Sequence, residues 1–153
     1  MLMRYLLLLV VPLAAPVHAD PEVERLLAGD EMPVGVVFEI VEGDEDALAA
    51  VLPRVRQAIA QLRARFPEIE LAVVSHGGEQ FALQSKYRQE YAGIHQEVDS
   101  LTRDQVPVHV CGTHASWFDV MPEDFPDYVD VAPAAPAQIA HYEELGYELI
   151  VLP

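Results

Sequence analysis

Cysteine occurs once in the 153 residues, at Cys111, and His114 follows three positions later. Together they form C-x-x-H at the end of the stretch V-P-V-H-V-C-G-T-H, residues 106–114. A thiolate is both a nucleophile and a metal ligand. An imidazole beside it can hold the charge as a Cys–His ion pair or share a soft metal. His76, His95, His109 and His141 are the further ligands the chain offers. Two ligands do not make a metal site, and no second C-x-x-H and no H-x-x-x-H is present. Cys111 and His114 are therefore the candidate catalytic pair, with no metal site assigned. A buried cysteine acting as a small hydrophobe fits the same position.

The elements around this pair set where it sits. Val106, Val108 and Val110 alternate with Pro107 and His109, and the run breaks at Gly112. That pattern predicts a buried strand over 106–111, with His109 as a packed strand residue. In an open parallel α/β sheet, ligands are met just outside the carboxyl ends of the strands. A thiol there also faces the start of the next helix, whose partial positive charge favours an anion. Thr113 or Ser116 is placed to cap that helix. Trp117 and Phe118, just past the turn, read either as a cover over the sulfur or as core.

Four more apolar runs read as strands: Val34 to Val41, Glu70 to Ser75, Tyr128 to Val131 and Tyr147 to Leu152. The clearest helix is Ala47 to Phe66. Its apolar residues Leu48, Val51, Leu52, Val55, Ile59, Leu62 and Phe66 recur at three- and four-residue spacings. Asp44 or Asp46 can cap it, and Pro53 argues for a regular start later than Ala47. Glu79 to Ser85 reads as a short helix, residues 86–93 as a polar loop carrying Lys86 and Arg88 on a solvated face, and Ile94 to Asp104 as a helix. Ala137 to Leu145 is a last helix, stopped by Gly146. His76-Gly77-Gly78 follows the second strand. It lacks the G-x-G-x-x-G and P-loop spacings, so it reads as a tight turn rather than a phosphate cradle, and no cofactor is implied. Alternation of strands and helices predicts an α/β domain, three-layered, with one mostly parallel sheet and helices on both faces.

Residues 1–19 have the form of a secretory signal: Arg4, an apolar run from Tyr5 to Val11 broken by Pro12, and Val17 and Ala19 before Asp20. The run is short of the ~20 apolar residues a membrane helix needs. The expectation is export, periplasmic or secreted, with residues 20–33 as an acidic leader that holds a candidate helical turn at P-E-V-E-R-L-L, and 34–153 as the domain. An unpaired cysteine in such a compartment has no internal disulfide partner. The formal net charge of −16 argues against nucleic acid and anionic membrane as partners, since both call for Lys and Arg.

In the strand V-V-F-E-I-V, the helix after G-D-E-D, the A-V-V-S-H-G-G turn, V-P-V-H-V-C-G-T-H and the tail G-Y-E-L-I-V-L-P, the chain resembles the DsrE/DsrF-like family, which includes the YchN-like proteins. The resemblance spans roughly residues 34–153. It implies a five-stranded α/β domain assembled as a homo-oligomer, a trimer or hexamer. In the sulfur-relay members, the cysteine matched by Cys111 carries a persulfide and passes sulfur to a small carrier protein. The implied function is an exported sulfur carrier, sulfurtransferase-like, with Cys111 as acceptor thiol; the alternative is an oligomeric binding module holding a soft metal at Cys111 and His114. Residues 115–120 lack the arginine that the relay members place after their cysteine.

Overall fold

The computed structural model describes residues 20–152; the segment read as a signal lies outside them. Five strands form one all-parallel sheet: β1 (Gly35–Ile40), β2 (Glu70–Ser75), β3 (Val108–Cys111), β4 (Asp130–Ala132) and β5 (Tyr147–Leu152). Their order across the sheet is β4-β3-β2-β1-β5. The inner strands are apolar on both faces, as a sheet covered on both sides demands. On one face, Val36, Phe38 and Ile40 join Leu71, Val73, Val108, Val110 and Ile150 in the larger core, with three helices packed over them. These are α1 (Pro21–Ala28), α2 (Leu48–Arg65) and α3 (Ala92–Arg103). On the other face, Val37, Ala72, Val74 and Cys111 meet Ala135 and Ile139 of α5 (Ala135–Glu144). The five-residue α4 (Gly112–Ser116) follows β3 directly at the carboxyl edge.

The three-layer α/β reading holds, and the boundaries differ where side chains compete with pattern. The focal strand pairs only from Val108, and Pro107, which has no N–H, contributes its carbonyl to Val73 N–H. Helix α2 runs unbroken through Pro53. The cost is one missing bond to the Ala49 carbonyl. Both residues lie on the exposed side, where water can take that place. Neither Asp44 nor Asp46 caps α2 through its side chain; a 3-10 turn, Glu45–Ala47, leads into it instead. Gly146, at φ 93°, terminates α5 as expected of a left-handed glycine.

The candidate helical turn in the acidic segment after Asp20 is helix α1. Asp20 Oδ1 accepts the Glu22 N–H at 2.9 Å, Pro21 opens the first turn, and Val23 and Leu26 are buried against α2. We predict that Leu26→Ala lowers stability by about 2 kcal/mol or more. Urea unfolding measures this, and an unchanged midpoint would place α1 outside the cooperative core.

Candidate functional site

The site is assembled by the turn after β2. Residues 78–83 form a 3-10 helix in which Glu79, Gln80, Phe81, Ala82 and Leu83 are all buried. Glu79 is fully inside, so its carboxylate must find donors. Oε1 accepts from Ser75 Oγ at 2.8 Å and from Gly77 N–H at 2.9 Å, and Oε2 accepts from Glu42 N–H at 2.8 Å. This joins the loop after β1 to the loop after β2. The two glycines permit the approach: a Cβ on Gly77 would stand 2.2 Å from Glu42 O, and one on Gly78 2.2 Å from Gly43 O. The Gly-Gly pair is thus a close-packing turn.

Gln80, also fully buried, reaches the next strand. Its Oε1 accepts the Cys111 N–H at 2.8 Å, and its Nε2 lies 3.0 Å from His114 Nδ1. The same Nδ1 is 2.8 Å from the His76 carbonyl, so the nitrogen serves one neighbour or the other according to which ring atom carries the proton. The imidazole packs edge-on against Phe81, Trp117 and Phe118 at centroid distances of 5.3–5.5 Å.

The sulfur lies elsewhere. Cys111 is 5 % exposed and sits with Ala135 and Ile139 on the α5 face. It is the N-cap of α4: Sγ accepts the His114 N–H at 3.4 Å, and a second N–H, from Ala135 at the start of α5, at 3.4 Å. Neither Thr113 nor Ser116 caps α4; their hydroxyls donate to the carbonyls of Pro133 and Thr113. The C-x-x-H spacing therefore joins its two residues through the backbone, with the imidazole turned to Gln80 and His76.

The other histidines are dispersed. His76 Nε2 meets Glu39 Oε1 at 2.7 Å, and His109 Nε2 meets the Tyr142 hydroxyl at 2.8 Å as a packed strand residue. His95 is held between Tyr128 Oη (2.6 Å) and the Ala82 carbonyl (2.9 Å). Among the described residues no three or more His, Cys, Asp or Glu side chains gather as a metal site. Trp117 and Phe118 are neither core nor a lid on the sulfur, being 73 % and 62 % exposed. Glu79 and Gln80 were missed by the pattern of the sequence. The signal was there: two polar residues wedged between Gly-Gly and the apolar Phe81-Ala82-Leu83 at the end of a buried strand.

Comparisons with known proteins place this geometry. A scan against family models and a search of curated proteins gave no match. Among solved structures, the chain is similar to MTH1491 from Methanobacterium thermoautotrophicum, a protein of unknown function. Identity is 25 %, TM-score 0.61, over 76 % of this chain and 97 % of that one. It is similar to YchN from E. coli at 19 % identity and TM-score 0.59, over 77 % and 99 %. BT1422 from Bacteroides thetaiotaomicron, described as a conserved protein of unknown function, matches at 10 % identity and TM-score 0.54, over 80 % and 100 %. The fold is that of the YchN-like, DsrE/DsrF-like proteins.

Burial pushes the imidazoles of His95 and His109 below the ordinary value of 6.5; at His95 the bond to the Ala82 carbonyl opposes this and Arg88 adds to it, and at His109 Asp130 opposes it. The folded chain thus binds these protons less readily than the unfolded chain. Their contribution to stability is complete above 6.5 and is lost as pH falls below it. We expect the urea midpoint to drop between about pH 7.5 and about pH 5.5. His109→Gln should shrink that drop, and an equal drop in the variant would contradict the assignment.

Proposed function

We propose that this protein is a sulfur carrier that holds a persulfide on Cys111. The observation that carries the reading is the seat of the sulfur: it ends β3 at the carboxyl edge and receives two backbone N–H groups, one from the first turn of the ten-residue α5. Such donors suit an anionic sulfur. The Cys111 thiolate attacks the terminal sulfur of a donor persulfide R–S–SH. The new Cys111–sulfur bond forms as the donor S–S bond breaks, RS⁻ departs, and the product is Cys111–S–SH. Nothing is oxidised overall, and a second thiol reverses the step. The apolar surroundings, Val74, Ala135 and Ile139, would shield the persulfide from water and from stray thiols.

The sequence and the family resemblance extend the reading. Residues 1–19 would export the chain, the acceptor would be a small thiol-bearing carrier protein, and the working form would be a homo-oligomer. No helix among the described residues is long and apolar enough to cross a membrane. Intact-mass analysis after treatment with inorganic polysulfide tests the central step. The account expects one or more added sulfur atoms on the folded protein, removed by dithiothreitol and missing in Cys111→Ser. Addition only to urea-unfolded chains would show a thiol that is sealed and inert.

A further inference from the structure

The segment just beyond Cys111 exposes apolar side chains that the fold has no internal use for. Helix α4 closes at Asp119, a non-glycine residue at φ 56°. Asp119 N–H bonds to the Ser116 carbonyl and Val120 N–H to the Ala115 carbonyl, the paired bonds of a Schellman turn. This turn buries Val120 and holds Trp117, Phe118 and Met121 outward, at 73 %, 62 % and 51 % exposure. The ring of Phe118 is itself held, edge-on to Phe81 at 5.1 Å and to His114 at 5.5 Å. Beside the patch opens a cleft of about 530 Å³, lined by Phe81, His114, Phe118 and Val120 together with Lys86 and Glu45.

The charge on the segment that carries this patch is one-sided. Residues 104–153 contain nine carboxylates and neither lysine nor arginine. Asp119, Glu123, Asp124 and Asp127 flank the patch in sequence, are exposed, and form no ion pair among the described residues. Lys86, which also lines the cleft, stacks on Tyr87 at 4.7 Å. Two such patches brought face to face would set these carboxylates against one another, and with nine Lys and Arg against 25 Asp and Glu the rest of a second copy offers little complementary charge, which together oppose a second copy as the occupant.

We infer that the Trp117–Phe118–Met121 patch is a docking surface for a basic protein, whose lysines or arginines face the carboxylates while an aliphatic side chain enters the cleft. Exposed rigid aromatics beside a pocket are the usual anchors of such contacts, and the complementary charge speeds encounter and rejects acidic surfaces. This inference stands apart from the sulfur chemistry, since none of these side chains touches Cys111 sulfur.

Trp117 is the chain's only tryptophan, so its emission reports on the patch alone. The experiment titrates the full chain with a synthetic peptide of alternating lysine and leucine, free of aromatic residues. The expected result is a saturable blue shift of Trp117 emission, with binding weaker by about tenfold or more for Phe118→Ser with Met121→Ser. Glu123→Gln with Asp127→Asn should also weaken binding, whereas Glu143→Gln with Glu144→Gln on α5 should leave it unchanged. A lysine–serine peptide should bind about tenfold more weakly than the lysine–leucine one. Equal binding of the two peptides, or equal loss from the α5 variant, would reduce the effect to bulk charge and overturn the inference. So would sedimentation showing an oligomer that Phe118→Ser with Met121→Ser dissolves, because the occupant would then be a second copy. The absence of any emission shift would overturn it as well.

Discussion

A buried polar side chain must be hydrogen-bonded or the fold loses free energy on the order of 1–3 kcal/mol for each orphaned group. At the carboxyl edge of this sheet two such side chains stand in sequence. Glu79 and Gln80 are both fully buried, and each takes a hydrogen bond from beyond its own turn: Glu79 from Glu42 N–H, besides Ser75 and Gly77 nearby, and Gln80 from Cys111 N–H. Glu79 fixes the turn after β2 to the turn after β1. Gln80 fixes it to the last residue of β3. The three central strands of the sheet are thereby registered to one another at the end where ligands are met, in addition to their ladder bonds. The glycines at 77 and 78 follow from the same constraint, since any side chain there would stand inside the neighbouring loop.

That arrangement decides how the candidate pair is presented. Gln80 takes the Cys111 N–H, which frees the cysteine to serve as N-cap and aims its sulfur at the starts of α4 and α5. The same amide sits against His114, which keeps the imidazole with Phe81 rather than with the sulfur. One side chain thus seats two residues in separate packing regions. The sulfur is shielded and backed by N–H donors. The imidazole is half-buried and borders the cleft beside Trp117 and Phe118.

Much of the architecture was legible because it rests on local pattern. Glu70 to Ser75 and Tyr147 to Leu152 read as strands to the residue, since β-branched and apolar runs bounded by polar breaks leave little choice. Helix α1 read only as a helical turn within a leader because an eight-residue acidic stretch shows its worth only once α2 offers Val23 and Leu26 a surface. The run V-P-V-H-V-C-G-T-H put Cys111 at the end of a strand and before a helix, where it stands, but the C-x-x-H spacing could not show that the two side chains diverge. Gln80 lies 31 residues from Cys111, and no periodicity encodes a contact at that separation. Trp117 and Phe118 read as a cover over the sulfur or as core; the reversal at Asp119, set by backbone bonds to Ala115 and Ser116, turns them out.

The most direct test of this account is amide hydrogen exchange at Cys111, read residue by residue by NMR in the native chain and in Gln80→Leu. With its N–H given to a buried side-chain oxygen, Cys111 should exchange slowly in the native chain. Removing the acceptor should speed that exchange by about tenfold or more, the equivalent of one hydrogen bond, while the amides of Val37 and Val73 within the sheet keep their protection. Equal protection of Cys111 in both chains would mean that Gln80 does not hold the residue that carries the sulfur.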